Sequence, residues 1–126
     1  MTTPENLKYT KSHEWVSKLE NGNWQVGLTD FAQSSMGDIV FVNLPEEGDE
    51  AALGQGIAEV ESVKTVSDVY SPIAGTVAAV NGALADTPEQ INESAYEAWL
   101  FEITPSGETE ELLDAAAYTA YCELEG

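Results

Sequence analysis

The sequence contains no arginine, and its four basic residues are the lysines Lys8, Lys11, Lys18 and Lys64. Acidic residues number 23, which gives a formal net charge of -19. Nucleic acids and anionic membrane surfaces bind proteins through clustered Lys and Arg, so we expect neither as a partner. We expect partners with basic surfaces, attracted by electrostatic steering. Solubility explains the charge equally well, and the two explanations are compatible.

Cysteine and histidine occur once each, as Cys122 and His13. A single cysteine forms no internal disulfide, and this pair excludes a zinc site of ordinary type. We interpret the lone His13, beside Trp15, as a structural residue. We interpret Cys122 as a residue that packs a C-terminal helix.

Long apolar runs are also missing, since no segment approaches the roughly 20 residues of a membrane-spanning helix. Residues 1–6 have neither the basic and apolar regions of a signal peptide nor the composition of a transit peptide. We therefore expect a cytoplasmic protein, or a mitochondrial-matrix protein if the chain is a mature eukaryotic form.

Short alternating segments separated by turn residues run through most of the chain. Asn21-Gly22 lies between two of them and is the strongest short signal for a β-hairpin. A helix is predicted between the N-cap segment Thr29-Asp30 and Gly37. Strands are predicted over residues 12–19, 24–28, 38–44, 57–63, 66–70, 76–80 and 98–103, with a short one near residue 50.

The end of the chain is predicted to form a helix. Residues 105–107 should separate it from the last strand, and Thr109 should cap it. The apolar stripe that docks this helix on the sheet is predicted to comprise Leu113, Ala117, Tyr121 and Leu124. About eight short strands in 126 residues predict one mainly β domain, a β-sandwich or flattened barrel. Its core spans about residues 7–105 and its C-terminal helix about residues 109–123.

Lys64 is the only basic residue after Lys18 and lies between two predicted strands. A lysine on an exposed turn discourages aggregation, and a surface ion pair would contribute little to stability. A Schiff-base or general-base lysine requires a lowered pKa, whereas the carboxylates of Glu59, Glu61 and Asp68 favour a charged amine.

A fourth role is that of a carrier lysine, which presents one amine for covalent attachment of a swinging cofactor. The absence of competing lysines nearby suits a modifying enzyme that must select a single amine. The β-branched neighbours Val63 and Val66 would hold the tip rigidly. The residues taken alone leave all four roles open.

The segment VESVKTVSDVYSPIAG, residues 60–75, resembles the lipoyl attachment region of the glycine cleavage system H protein family. Further segments resemble the family in the expected order: YTKSHEWV at 9–16, GLTDFAQ at 27–33, GDIVFVNLP at 37–45, GTVAAVN at 75–81 and AWL at 98–100. The resemblance covers about residues 7–125. Ala98 departs from it, because relatives often have glycine there.

The resemblance implies a barrel-sandwich hybrid fold, with two antiparallel sheets, short helices and a C-terminal helix. It implies that Lys64 carries lipoic acid in amide linkage, placed there by a lipoyl-attaching enzyme. Glycine decarboxylase would load an aminomethyl group on the arm, aminomethyltransferase would take it, and dihydrolipoyl dehydrogenase would reoxidise the dithiol. The chain itself would be a monomeric shuttle and not a catalyst.

The resemblance also implies a surface cleft in which the loaded arm rests, lined by Ser12, Glu14 and Asp68. A carboxylate can pair with the cationic aminomethyl nitrogen, and a hydroxyl can add a hydrogen bond. Plain surface solvation is the alternative role for Glu14 and Asp68.

Other carrier classes fit the residues less well. A biotin domain should have Met on both sides of the lysine, where this chain has Val63 and Thr65. Lipoyl domains of 2-oxoacid dehydrogenases typically have Asp-Lys-Ala and are shorter. A related lipoyl relay or binding module that has lost glycine cleavage stays possible, because it would keep the same lysine.

Overall fold

The computed structural model describes residues 3–109 and 111–125, without the side chains of residues 108 and 125. The strands, in chain order, are β1 (Lys8–Tyr9), β2 (Glu14–Lys18), β3 (Trp24–Leu28), β4 (Ile39–Asn43), β5 (Glu50–Ala51), β6 (Gly56–Ser62), β7 (Val66–Tyr70), β8 (Ile73–Val80) and β9 (Phe101–Thr109). The helices are α1 (Asp30–Met36), α2 (Ala83–Asp86), α3 (Gln90–Glu93) and α4 (Ala115–Glu125).

Two antiparallel sheets form the architecture. One has six strands in the order β1-β2-β3-β9-β8-β5, and the other has three in the order β4-β6-β7. The predicted mainly β fold with two antiparallel sheets is therefore confirmed. Among the described strands no pairing joins the two sheets, and they do not close into a barrel.

The local turn signals produce the elements that they predict. The segment around Gly22, whose φ is 91°, joins β2 to β3 in an antiparallel pair. Thr29 caps α1, because its side chain accepts a hydrogen bond from the backbone N–H of Ala32 at 3.2 Å. Gly37 ends the helix with a φ of 81°, a conformation that glycine adopts without strain.

The apolar side chains form two clusters. The larger fills the space between the sheets and includes Val26, Val60, Phe101 and Ile103, each fully buried. The smaller lies under α4 and contains Tyr9, Trp15, Tyr118 and Cys122, with Phe31 at its margin; this confirms Cys122 as a packing residue. The second cluster attaches the C-terminal helix to the strands that follow the N-terminus.

The predictions for the end of the chain were wrong in their boundaries. The last strand begins at Phe101 and continues through Pro105 and Gly107 to Thr109, so Thr109 does not cap a helix. Pro105 pairs with Gly75 of β8, and the β8–β9 register shifts on both sides of that region. These irregularities accommodate a proline within a strand.

Helix α4 instead begins at Ala115, and Asp114 caps it by accepting the N–H of Ala117 at 2.8 Å. Its buried stripe is Ala115, Tyr118 and Cys122, whereas Ala117 and Leu124 of the predicted stripe are exposed. The alanines around Tyr118 fit several helical faces. Stacking of Tyr118 on Tyr9, with ring centroids 4.7 Å apart, decides the orientation.

No helix in the described ranges has the length and apolar character needed to cross a membrane. Among the same residues, no group of three or more His, Cys, Asp or Glu side chains is arranged to hold a metal ion.

Candidate functional site

Lys64 lies at the tip of the β6–β7 hairpin, in a loop of residues 63–65. The Ser62 side chain organises this loop: its Oγ accepts the backbone N–H of Lys64 at 3.3 Å and that of Thr65 at 3.1 Å. The N–H of Ser62 donates to the carbonyl of Thr65 at 2.8 Å. The loop has no positive φ, so it does not need the Gly or Asn that its sequence lacks.

The base of the loop is attached to the rest of the fold. The N–H of Val63 donates to the carbonyl of Asp38 at 3.1 Å. The Lys64 stem extends over the end of α1, since a β-carbon at Gly37 would lie 3.6 Å from Lys64 Cε. Lys64 itself is exposed. The hairpin therefore presents its amine from a backbone that other elements hold in place.

Glu14 lies in the opposite environment, fully buried at the start of β2 with 0% exposure. Its Oε1 accepts the hydroxyls of Thr10 and Ser12, each at 2.5 Å. Its Oε2 accepts the backbone N–H of Tyr70 at 3.1 Å. Because β7 is the edge of the three-stranded sheet, this carboxylate joins the two sheets. Plain surface solvation, the alternative role for Glu14, is wrong.

Burial raises the pKa of Glu14 above its ordinary value, because an ionised carboxylate loses hydration inside the protein. Hydrogen bonds from Ser12, Thr10 and the N–H of Tyr70 act against this rise, and so does the nearby His13. The carboxylate is thus a desolvated charge held by several donors. Such a charge acts strongly on a cation beside it, because screening by water is weak.

His13 makes the turn between Ser12 and Glu14. Its φ of 72° is the only positive value outside glycine among the described residues. The N–H of His13 donates to Thr10, and its carbonyl accepts the N–H of Thr29 at 3.1 Å. The ring lies 4.6 Å from that of Phe31. These contacts support the structural interpretation of His13 and hold a backbone conformation that is costly for a residue with a side chain.

Tyr118 of α4 completes this arrangement. Its hydroxyl lies 2.8 Å from His13 Nδ1 and 2.7 Å from the Thr29 hydroxyl. Burial raises the pKa of Tyr118, so the phenol stays protonated at neutral pH. The C-terminal helix therefore contacts the residue that sets the direction of Ser12 and Glu14.

The predicted cleft residues are brought together only in part. Ser12 and Glu14 are in direct contact, and Glu14 binds the backbone of Tyr70, two residues after Asp68. Within the described ranges, Asp68 itself makes no hydrogen bond to either residue. It is exposed beside a surface groove of about 300 Å³ lined by Asn43, Gly56, Ile57, Ala58, Glu59 and Asp68.

Sequence reasoning missed Thr10 and Tyr118 as residues that shape this site. Thr10 lies within the segment resembling the family, but a threonine in an N-terminal segment has no special signal. Tyr118 lies more than a hundred positions away in sequence from His13, and its helix was placed with the wrong face inward. The contact between them follows only from the packing of α4.

Comparisons with known proteins show which family this chain resembles. The family model described as glycine cleavage H-protein matches residues 7–125. The glycine cleavage system H protein of Lachnoclostridium phytofermentans is 50% identical over 125 residues, covering 99% of this chain and 98% of that protein. The protein from Shewanella baltica strain OS155 of the same name is 52% identical, with 97% of each chain covered.

A solved structure shows the same fold. The crystal structure of a glycine cleavage system H protein from Mycobacterium marinum has a TM-score of 0.85 and 37% identity, with 98% of each chain covered. The resemblance stated from the sequence motifs is thereby confirmed. The chain belongs to the glycine cleavage H-protein family and is a non-catalytic lipoyl carrier of the glycine cleavage system.

Proposed function

We propose that Lys64 is the residue to which lipoic acid is attached in amide linkage. The observation that carries this proposal is an exposed lysine at the tip of a hairpin whose loop is fixed by Ser62. The site fits the group, because an amide needs one accessible primary amine and the acylated chain then extends away from the tip. The other three lysines lie in the first 18 residues, outside this hairpin.

The attached lipoyl group would supply a dithiolane that accepts the aminomethyl unit of glycine. Glycine decarboxylase, aminomethyltransferase and dihydrolipoyl dehydrogenase are the proposed enzymes that act on it in turn, and a lipoyl-attaching enzyme loads Lys64. The role of this chain is to present the arm from a fixed hairpin. We further propose a cytoplasmic location, in line with the bacterial relatives, and a monomeric state, because the charge of -19 opposes self-association.

Ser12, Glu14 and Asp68 are the proposed resting place for the cationic end of the loaded arm. Support comes from the hydrogen bond between Ser12 and Glu14, since the exposed Ser12 oxygen keeps lone pairs for a cation while its proton goes to Glu14. The buried Glu14 charge would stabilise that cation through Ser12. The exposed Asp68 carboxylate would add a second negative charge from β7.

Intact mass tests the attachment. The chain produced in a host supplied with lipoate should gain the mass of one lipoyl group, and Lys64→Arg should gain none. Lys8→Arg is the matched control and should be modified like the wild type, because Lys8 is also exposed. Retention of the added mass in Lys64→Arg, or its absence in the wild type, would overturn the assignment.

Spontaneous release of the one-carbon unit tests the resting place. Glu14→Ala and Asp68→Ala should shorten the lifetime of the loaded arm in the absence of the other enzymes. Glu20→Ala removes an exposed carboxylate from the β2–β3 turn and should leave the lifetime unchanged. Equal lifetimes in all four proteins would show that these residues do not shelter the arm.

A further inference from the structure

Large apolar side chains are exposed mainly around the Lys64 hairpin. Six such residues occur in the described part of the chain, and five belong to the three-stranded sheet or its hairpin loop: Val40, Phe41, Val63, Val66 and Tyr70. The sixth, Leu124, lies on α4. We call the group Val40, Phe41, Val63 and Val66 the hairpin patch. Its position beside one functional lysine distinguishes it from single apolar residues scattered over a surface.

A β-bulge creates half of this patch. The β4–β6 register shifts between Ile39 and Phe41, so two consecutive residues of β4 face outward. Val40 is 49% exposed and Phe41 54%, whereas Ile39 and Val42 on either side are buried. A regular strand would place one of these two side chains in the core. Bulges often turn side chains towards functional sites.

The pairing register places the rest of the patch beside them. Phe41 pairs with Glu61, and Glu61 pairs with Val66, so the three residues form one row across the sheet at the hairpin end. Val63 precedes Lys64 and is 71% exposed. Two rows further along, on the same outward face, Asn43, Glu59 and Asp68 pair in the same way, which adds carboxylates below the patch.

We propose that the hairpin patch is the docking surface for the enzyme that acylates Lys64. The inference rests on the proposed attachment of the lipoyl group at this lysine. The partner would present an apolar contact area surrounded by Lys or Arg, complementary to the patch and to the carboxylates of β6 and β7. Burial of aromatic and aliphatic side chains provides binding energy, and the surrounding charges orient the encounter.

The short length of the Lys64 side chain explains why this partner is the acylating enzyme. The Lys64 amine is separated from its backbone by four methylene groups, so an enzyme that bonds to Nζ must approach the neighbouring side chains closely. Enzymes that act on the finished arm work at its far end, beyond a further flexible chain. Contact with Val63, Val66 and Phe41 is therefore obligatory for acylation and optional for later steps.

The reaction at this surface is an acyl transfer. The neutral Nζ of Lys64 attacks the carbonyl carbon of an activated acyl donor, such as an acyl adenylate made from lipoic acid and ATP. A C–N bond forms, the bond from the carbonyl carbon to the phosphate oxygen breaks, and AMP leaves. Nζ loses its proton to a base of the enzyme or to water. The hairpin patch contributes by fixing the lysine against the enzyme during these bond changes.

The test measures acylation of the full chain, purified without lipoate, by a lipoate–protein ligase supplied with lipoic acid and ATP. Intact mass follows the rate. Phe41→Ala should lower kcat/KM for acylation by about tenfold, with a smaller loss for Val66→Thr. Leu124→Ala is the matched control, an 88% exposed apolar residue remote in sequence, and should stay within about twofold of the wild type. Added NaCl should raise KM through screening.

Phe41→Ala is expected to fold, because the side chain is more than half exposed, and circular dichroism checks this. Acylation of Phe41→Ala and Val66→Thr at the wild-type rate would overturn the inference. So would normal acylation combined with lost glycine-dependent turnover of the loaded variant, since the patch would then serve a later enzyme. Lys64→Arg separates the two proposals: if it is still acylated, the proposed attachment site fails as well.

Discussion

The Lys64 hairpin and the Ser12–Glu14 turn differ in their exposure and in the contacts that hold them. Lys64 is exposed at the end of a loop that one side chain, Ser62, organises through local hydrogen bonds. Glu14 is fully buried, and its carboxylate contacts Thr10, Ser12 and the backbone of another sheet. The first region depends mainly on neighbours in sequence, with one backbone bond from Val63 to the distant Asp38. The second depends on contacts brought from distant parts of the chain.

The difference corresponds to two tasks. Presenting an amine requires an accessible tip and a stable base, and a hairpin meets both needs within a short segment. Holding a buried carboxylate next to a surface hydroxyl requires that its desolvation is offset by several donors. The Glu14 turn should therefore be far more sensitive to substitution than the Lys64 hairpin, and three experiments test that contrast.

Gly27→Ala should have the largest effect. Gly27 pairs with Trp15, and a β-carbon there would lie 2.6 Å from the Trp15 ring. The ring cannot move freely, because it is buried and its Nε1 donates to the carbonyl of Ala95 at 3.0 Å. We expect a loss of about 2–3 kcal/mol in the free energy of unfolding, measured by urea denaturation.

Two substitutions serve as controls for Gly27→Ala. Gly82→Ala introduces the same methyl group where no atom lies within 4 Å and φ is -60°. Lys64→Ala changes the exposed hairpin tip. Both should stay within about 0.5 kcal/mol of the wild type. A similar loss at all three positions would remove the contrast between the two regions.

The same contrast decides what could be predicted from sequence. The β2–β3 hairpin, α1 and the Lys64 hairpin were predicted correctly, because Asn21-Gly22, Thr29 and the alternation of residues 57–63 act locally. In β6 the side chains of Ala58, Val60 and Ser62 point inward and those of Glu59 and Glu61 outward.

The C-terminal segment was not predictable in this way. Pro105 and Gly107 predict the end of the last strand, yet the pairing of β9 with β8 keeps both residues in that strand. The buried face of α4 is chosen by Tyr9, whose ring stacks on Tyr118. The burial of Glu14 likewise arises from packing between two sheets, and a carboxylate in a polar sequence gives no sign of it.

Tyr118→Phe should have the second largest effect. The phenylalanine ring keeps the stacking on Tyr9 but loses the hydroxyl between His13 and Thr29. Leaving the buried Thr29 hydroxyl and the half-buried His13 ring without that hydrogen bond should cost about 1–2 kcal/mol. Tyr70→Phe is the matched control, because it removes the same hydroxyl from a side chain that is 37% exposed. Urea denaturation of the two variants measures the difference, and an equal loss would show that the hydrogen bonds from Tyr118 to His13 and Thr29 contribute nothing to stability.

The smallest effect concerns the pH dependence of stability, because the hydrogen bonds to Glu14 partly offset its burial. The pKa of Glu14 is raised in the folded state, so the folded chain binds its proton more tightly than the unfolded chain. The resulting stabilisation of the folded state is fully present below the pKa of Glu14 in the unfolded chain, near 4.5. It is lost as pH rises through the pKa of Glu14 in the folded chain. Glu14→Gln has no such titration.

We therefore measure the free energy of unfolding from about pH 4 to pH 8 at constant ionic strength. The wild type should become less stable relative to Glu14→Gln as pH rises. The difference between the two proteins cancels the titration of carboxylates that they share. Asp68→Asn removes the same formal charge at an exposed position, and so separates the loss of one negative charge from the effect of burial. If the wild type instead became more stable relative to Glu14→Gln with rising pH, the hydrogen bonds from Thr10, Ser12 and Tyr70 would outweigh the effect of burial on the pKa of Glu14. Glu14 would then be a carboxylate that the fold stabilises in its charged form, and the contrast with the exposed Lys64 tip would lie in hydrogen bonding more than in desolvation.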